Sequence, residues 1–171
     1  MAGRIVLLAH QMTEAYGLLR RRVEGLDENE FLWEPVPGCW TVHLDAAERW
    51  VADYELPEPE PAPFTTIAWR LVHVATCKVM YHEYAFGPGA LTWDSIEIPH
   101  TVADAVAMLE HGQALLADDL RKLEEPDLDR PRLTNWGEWW PTREIFWTMA
   151  GHDLHHGAEI GVLRDLYRQT S

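Results

Sequence analysis

Four stretches of this chain repeat their apolar residues at three- and four-residue steps, and each runs for roughly twenty residues or more before Gly or Pro interrupts it, which predicts long amphipathic helices. The first covers roughly residues 3–24, with Ile5, Leu8, Met12, Ala15, Leu19 and Val23 on one stripe and Gly25 as the stop. Its Arg20–Arg22 run sits at the end where cations favour the helix dipole. The second runs from about Thr65 to Phe86, opened by Thr65-Thr66 after Pro63 and closed by Gly87-Pro88-Gly89. The third, about 101–124, starts at Thr101 with Asp104 three residues on and ends before Pro126. The fourth starts near Pro141-Thr142 and reaches about Arg168.

No segment alternates strongly enough to build a sheet, and no internal repeat is present. Residues 26–64, containing FLWEPVPGCWTVH and LPEPEPAPF, separate the first two helices, and Pro57, Pro59, Pro61 and Pro63 stiffen their end. A connection this long in a compact domain is functional or a crossover. The expected fold is therefore all-α, a four-helix bundle with a long crossover connection between helices 1 and 2 of the four.

With 171 residues, 47% of them hydrophobic, the chain has the size of a single domain spanning 1–171. Acidic residues outnumber basic ones 28 to 14, and a net charge of −14 repels nucleic-acid backbones and anionic membranes. Neither is an expected partner. Cys39 and Cys77 make no disulfide framework, so a reducing, cytoplasmic location is expected. The IVLLA run near the start is cut short by His10 and Glu14, and no later segment approaches membrane-spanning length.

The chemistry concentrates in MAGHDLHHGAEIGVLRDLY, residues 149–167. Setting His152 at zero on a helical wheel puts His156 at about 40°, among Ile145, Leu163, Met149 and Ile160 at about 20° to 80°. Two imidazoles thus share the apolar face, four residues apart, the spacing with which a helix chelates one ion. His155 and Glu159 fall on the edge of the stripe. Either could stand behind the ligands, fixing an imidazole tautomer or accepting a proton; Glu159 could equally pair with a nearby Arg. His155 in place of His156, with Glu159, is an alternative set that the wheel favours less. In TTIAWRLVHVATCKVMYHEYAF, His73 is a lone imidazole on a largely apolar helix and the candidate third ligand. Three neutral imidazoles suit Zn²⁺, Ni²⁺ or Fe²⁺ and leave a position open. Trp69, Cys77 and Tyr84 share the His73 face and are the candidate pocket residues; Cys77 is either an extra ligand or a small buried hydrophobe.

HDLHH differs from the HExxH of metalloproteases: Asp153 stands in place of Glu, off the ligand axis. No Gly-rich phosphate loop or Ser-His-Asp pattern is present. The nine tryptophans cluster in part at Trp33 and Trp40, at Trp69, and at Trp136, Trp139 and Trp140, where they could line a substrate mouth, pack a dimer interface or fill core.

IAWRLVHVATCK followed by HDLHHGAEIGVLRDLY resembles the DinB-like superfamily, and LDENEFLWEPVPGCWTV is similar to the segment after the first helix of its actinobacterial members. The resemblance implies that His73, His152 and His156 match that family's metal triad, with one divalent ion (Zn, Ni or Fe). It also implies a low-molecular-weight thiol of the mycothiol type as cosubstrate in a transferase. The expected function is accordingly divalent-metal-dependent thiol S-transfer to a small-molecule substrate, with metal-dependent hydrolysis as the alternative. A rival of another class is a non-catalytic homodimeric binding or stress-response bundle. A structural site closes with four protein ligands, whereas a catalytic one keeps a position open.

Overall fold

The computed structural model describes residues 3–170. Four long helices carry it: α1 (Arg4–Val23), α3 (Ile67–Ala85), α4 (Val102–Arg121) and α5 (Thr142–Thr170). A one-turn helix α2 (Glu28–Phe31) follows α1. Two small antiparallel hairpins complete the fold, β1 (Val42–Leu44) with β2 (Trp50–Ala52) and β3 (Pro131–Leu133) with β4 (Trp139–Pro141).

The helix starts follow local chemistry. Thr66 Oγ1 accepts the Trp69 amide at 3.1 Å, and Thr101 Oγ1 accepts that of Asp104 at 3.1 Å, each satisfying one of the free N-terminal donors. α1 buries Met12, Ala15, Leu19 and Val23, the predicted stripe, and stops before Gly25, whose φ of 64° suits a residue without Cβ. α3 is enclosed on nearly every side, with thirteen of its nineteen residues buried.

Around the core α1 packs on α5, α5 on α3, α3 on α4 and α4 on α1, which leaves α1 diagonal to α3. Paired contacts set the directions. Leu19 meets Gly157 and Arg22 meets Gly161, so α1 and α5 are parallel; a side chain at Gly157 would press on the Leu19 backbone at 3.3 Å. Lys78 lies at Gly112 and His82 at Asp119, so α3 and α4 are parallel too. A Cβ at Gly112 would come within 2.7 Å of Lys78 Cβ, which makes this close approach specific to glycine. Arg70 opposite Glu159 and Lys78 opposite Asp153 make α3 and α5 antiparallel.

The mostly helical architecture agrees with the all-α expectation, with two additions. The first is the pair of hairpins, each strand only three residues long, too short to show alternation in the sequence. The second is that 86–101 is a return segment as well: a parallel α3–α4 pair requires the chain to run back along a helix of roughly 28 Å, which sixteen extended residues, reaching about 50 Å, easily span. The expected long connection after α1 is present. In it Phe31 enters the core, and Glu30 holds Arg164 through two bonds of 2.8 and 2.9 Å in a buried pair. Arg164 also donates to the carbonyls of Arg22 and Glu24 at 2.7 Å, which closes the end of α1. Trp40 then pairs with the backbone at Phe64 and Thr66, at 2.7 and 2.9 Å, so that the β1–β2 hairpin stands beside the start of α3.

Candidate metal centre

His73 lies in the second turn of α3, and His152 and His156 lie one turn apart on α5. The antiparallel seam brings the three together: each offers a ring nitrogen within 4.8 Å of the other two. The ring centroids of His73 stand 5.6 Å from His152 and 5.0 Å from His156. Among the described residues no fourth His, Cys, Asp or Glu joins this set.

All three imidazoles are held neutral. Burial first, then the other two histidines and Arg70, pushes His73 down to about 3. His156 is likewise lowered to about 3, by burial, then Arg70, His152 and His155. Burial and the Lys78 ammonium lower His152. Neutral imidazole is the form that binds a metal.

The outer groups orient these rings. His156 Nδ1 lies 2.6 Å from Glu159 Oε2, which fixes the Nδ1–H tautomer and leaves Nε2 as a free acceptor. Arg70 comes within 3.4 Å of the same Nδ1, but two donors cannot bond to each other; its partner is Glu159 at 3.1 Å. The His73 ring stacks on Trp69 at 4.8 Å, and Trp69 Nε1 donates to the Asp53 carbonyl at 2.7 Å. His152 Nδ1 is buried with no hydrogen-bond partner. An unpartnered ring nitrogen among three neutral imidazoles fits cation binding, although it is one of several buried side-chain atoms without a partner. The donor set therefore suits a divalent ion of the Zn²⁺, Ni²⁺ or Fe²⁺ type.

The other sequence candidates fall around this centre. Glu159 bridges His156 and Arg70, so the two roles considered for it are filled by one carboxylate. His155 is exposed and reaches Glu159 at 3.2 Å. His155, His156 and Glu159 also form a possible ligand cluster, yet the Arg70 guanidinium already occupies its charge. Cys77 Sγ lies 3.8 and 3.9 Å from the His73 ring nitrogens and outside the ligand set. Burial pushes its thiol up to about 12, which keeps it protonated. Asp153 turns away from the three imidazoles to Lys78, at 2.8 Å, and is not placed as a general base. His10, on α1, is exposed.

A cavity of about 700 Å³ opens beside His73. Trp69 and Cys77 line it and Tyr84 does not; the Tyr84 hydroxyl donates to the Leu91 carbonyl at 3.0 Å and secures the start of the return segment. The β1–β2 hairpin, residues 93–98 and Trp136 form its other walls. Arg70, Lys78, Trp50 and Trp93 were missed from sequence. A lone Lys in an apolar helix was the available signal for Lys78; nothing local marks the other three, because tertiary packing alone brings them here.

The sequence profile of the DinB superfamily matches residues 11–160. The chain belongs to the DinB superfamily. Among curated proteins nothing matches. Among solved structures, the crystal structure of a conserved protein from Enterococcus faecalis superposes with a TM-score of 0.56 at 13% identity, covering 97% of this chain and 98% of that one, a likeness of fold. No helix among the described residues of this DinB-superfamily chain is long and apolar enough to cross a membrane.

Proposed function

We propose that this DinB-superfamily chain is a cytoplasmic, homodimeric metalloenzyme of one domain, a four-helix bundle. In it His73, His152 and His156 hold one divalent ion and present it to a low-molecular-weight thiol for transfer to an electrophilic small molecule. One observation carries this: three neutral imidazoles converge with no fourth protein donor among the described residues, next to a cavity. A structural site would be closed by a fourth ligand. A divalent ion held there supplies a Lewis acid that makes a thiol acidic enough to react as thiolate at neutral pH.

The chain's own residues prepare the centre. Glu159 takes the His156 Nδ1 hydrogen bond and so aims Nε2 inward, and Arg70 pins Glu159. Trp69 holds the His73 ring flat against its face. The hairpin and the 93–98 segment wall off the approach and reduce water access to the reacting groups.

The test is consumption of a generic aryl halide electrophile by the purified protein, with and without a thiol such as mycothiol or cysteine. Turnover that requires thiol and falls to background in His156→Ala is expected. Turnover without thiol, on activated esters instead, replaces transfer by hydrolysis; none on any substrate favours the non-catalytic binding protein.

A further inference from the structure

The cavity beside His73 has an interior and a rim of different chemistry. Inside lie Trp69, Val72 and Cys77, all buried, with Trp50 on the hairpin side. At the mouth Trp93 and Trp136 are 42% and 48% exposed, large aromatic surfaces left uncovered where folding gains nothing from them. The volume of about 700 Å³ suits a small organic ligand.

The charges lining it are unevenly used. Arg49, the one basic Lys or Arg side chain in the wall, is bound to Asp45 at 2.8 Å. Asp53 is taken up by His43 at 2.9 Å and by the Thr41 amide at 2.7 Å. Asp94 and Glu97 line the same mouth and have no ion-pair partner among the described residues. A ligand entering here meets aromatic faces and two free carboxylates, with no free cation to receive an anion, on a chain of net charge −14.

We propose that this cavity binds an apolar organic cation, its hydrocarbon body among Trp50, Trp69 and Trp93 and its cationic end at Asp94 and Glu97. Trp50 and Trp69, already stacked on His100 and His73, give the hydrocarbon body apolar surface. The exposed Trp93 ring next to Asp94 offers the cationic end its quadrupole, and the carboxylates add a solvent-screened preference. As the class of the electrophilic substrate, the assignment rests on the catalytic reading of the triad; as a binding site, it stands without it.

Three probes of matched shape test it by quenching of tryptophan fluorescence: phenyltrimethylammonium, the neutral tert-butylbenzene and the anionic benzenesulfonate. The cation is expected to bind about five-fold tighter than the neutral probe and more than tenfold tighter than the anion. In Asp94→Asn/Glu97→Gln its advantage over the neutral probe shrinks to within about twofold, and Trp93→Ala weakens all binding. These are exposed positions, and far-UV circular dichroism verifies the fold of each variant. Equal or tighter binding of the neutral or anionic probe to the wild type overturns the proposal, as does a cation advantage that survives the double carboxylate variant, or binding indifferent to Trp93→Ala. Metal content, measured on the same samples, separates this outcome from that of the metal centre: a chain that binds the cation but takes up no ion keeps the cavity assignment and loses the triad.

Discussion

Two neighbouring polar sets on the α3–α5 seam differ in charge, one made of neutral imidazoles and the other an ion pair. His73 faces His152 and His156, and His152 Nδ1 is buried with no hydrogen-bond partner. One residue along, Asp153 meets Lys78 at 2.8 Å, with the two side chains 1% and 0% exposed, and Gln113 accepts a second Lys78 bond at 2.8 Å. Burial lowers the Lys78 ammonium and raises the Asp153 carboxyl, and each partner's charge opposes the other's shift. A buried charged pair is costly to form and costlier to half-remove. The seam thus holds a buried ion pair that fixes helix register, with Asp153 Oδ1 left unpartnered, beside a cluster of neutral imidazoles suited to a cation.

The contrast breaks most severely at the ion pair. Lys78→Ala leaves Asp153 buried without its counter-ion and is expected to cost about 3–5 kcal/mol in urea unfolding. Lys78→Met with Asp153→Leu should restore most of that, since replacing the whole pair by apolar residues is often neutral. If the double variant is as unstable as the single, the unpaired charge is not the source of the loss.

At the imidazole cluster, Glu159→Gln removes the charge that orients His156 and should weaken metal binding about 10–100-fold while leaving urea unfolding of the metal-free chain nearly unchanged. Equal losses in stability and affinity would make Glu159 a structural residue.

Acidity sharpens the comparison further. In the metal-free chain His73 and His156 hold folded-state values of about 3 against 6.5 for free imidazole. The unfolded chain therefore takes up protons that the folded chain refuses. Above about 6.5 these groups do not alter stability with pH; as pH falls from there towards 3, stability is lost. Urea midpoints at pH 7.5 and 5 should fall more in the wild type than in His73→Gln. An equal fall would place the pH sensitivity elsewhere.

The smallest effect is expected at Cys77. Cys77→Ala should keep the wild-type metal stoichiometry, since the thiol stands outside the ligand set; loss of the ion would return it to that set.

Much of the helical frame was legible because Met12, Ala15, Leu19 and Val23, or Thr66 and Thr101 at caps, act through local geometry that a sequence carries directly. The phase of His152 against His156 is equally local. The parallel pairing of α3 with α4 is not, and with it went the return through 86–101 and the placing of Trp93 over the cavity. The hairpins escaped notice because three-residue strands carry no readable alternation, although Gly137, at φ 80°, marks one of their turns. Lys78 illustrates a middle case. Its partner Asp153 lies at about 100° on the α5 wheel, next to the apolar stripe, so the pair was visible only once the two helices were set side by side.

The central claim is that α3 and α5 share one ion. The most direct measurement is metal content by plasma mass spectrometry on protein purified without a histidine tag, wild type beside His73→Ala and His156→Ala. About one ion per chain, lost in both variants although the substitutions lie on different helices, is the predicted result. No ion in the wild type, and no uptake when Zn²⁺, Ni²⁺ or Fe²⁺ is supplied, would contradict it and leave the three imidazoles as core residues.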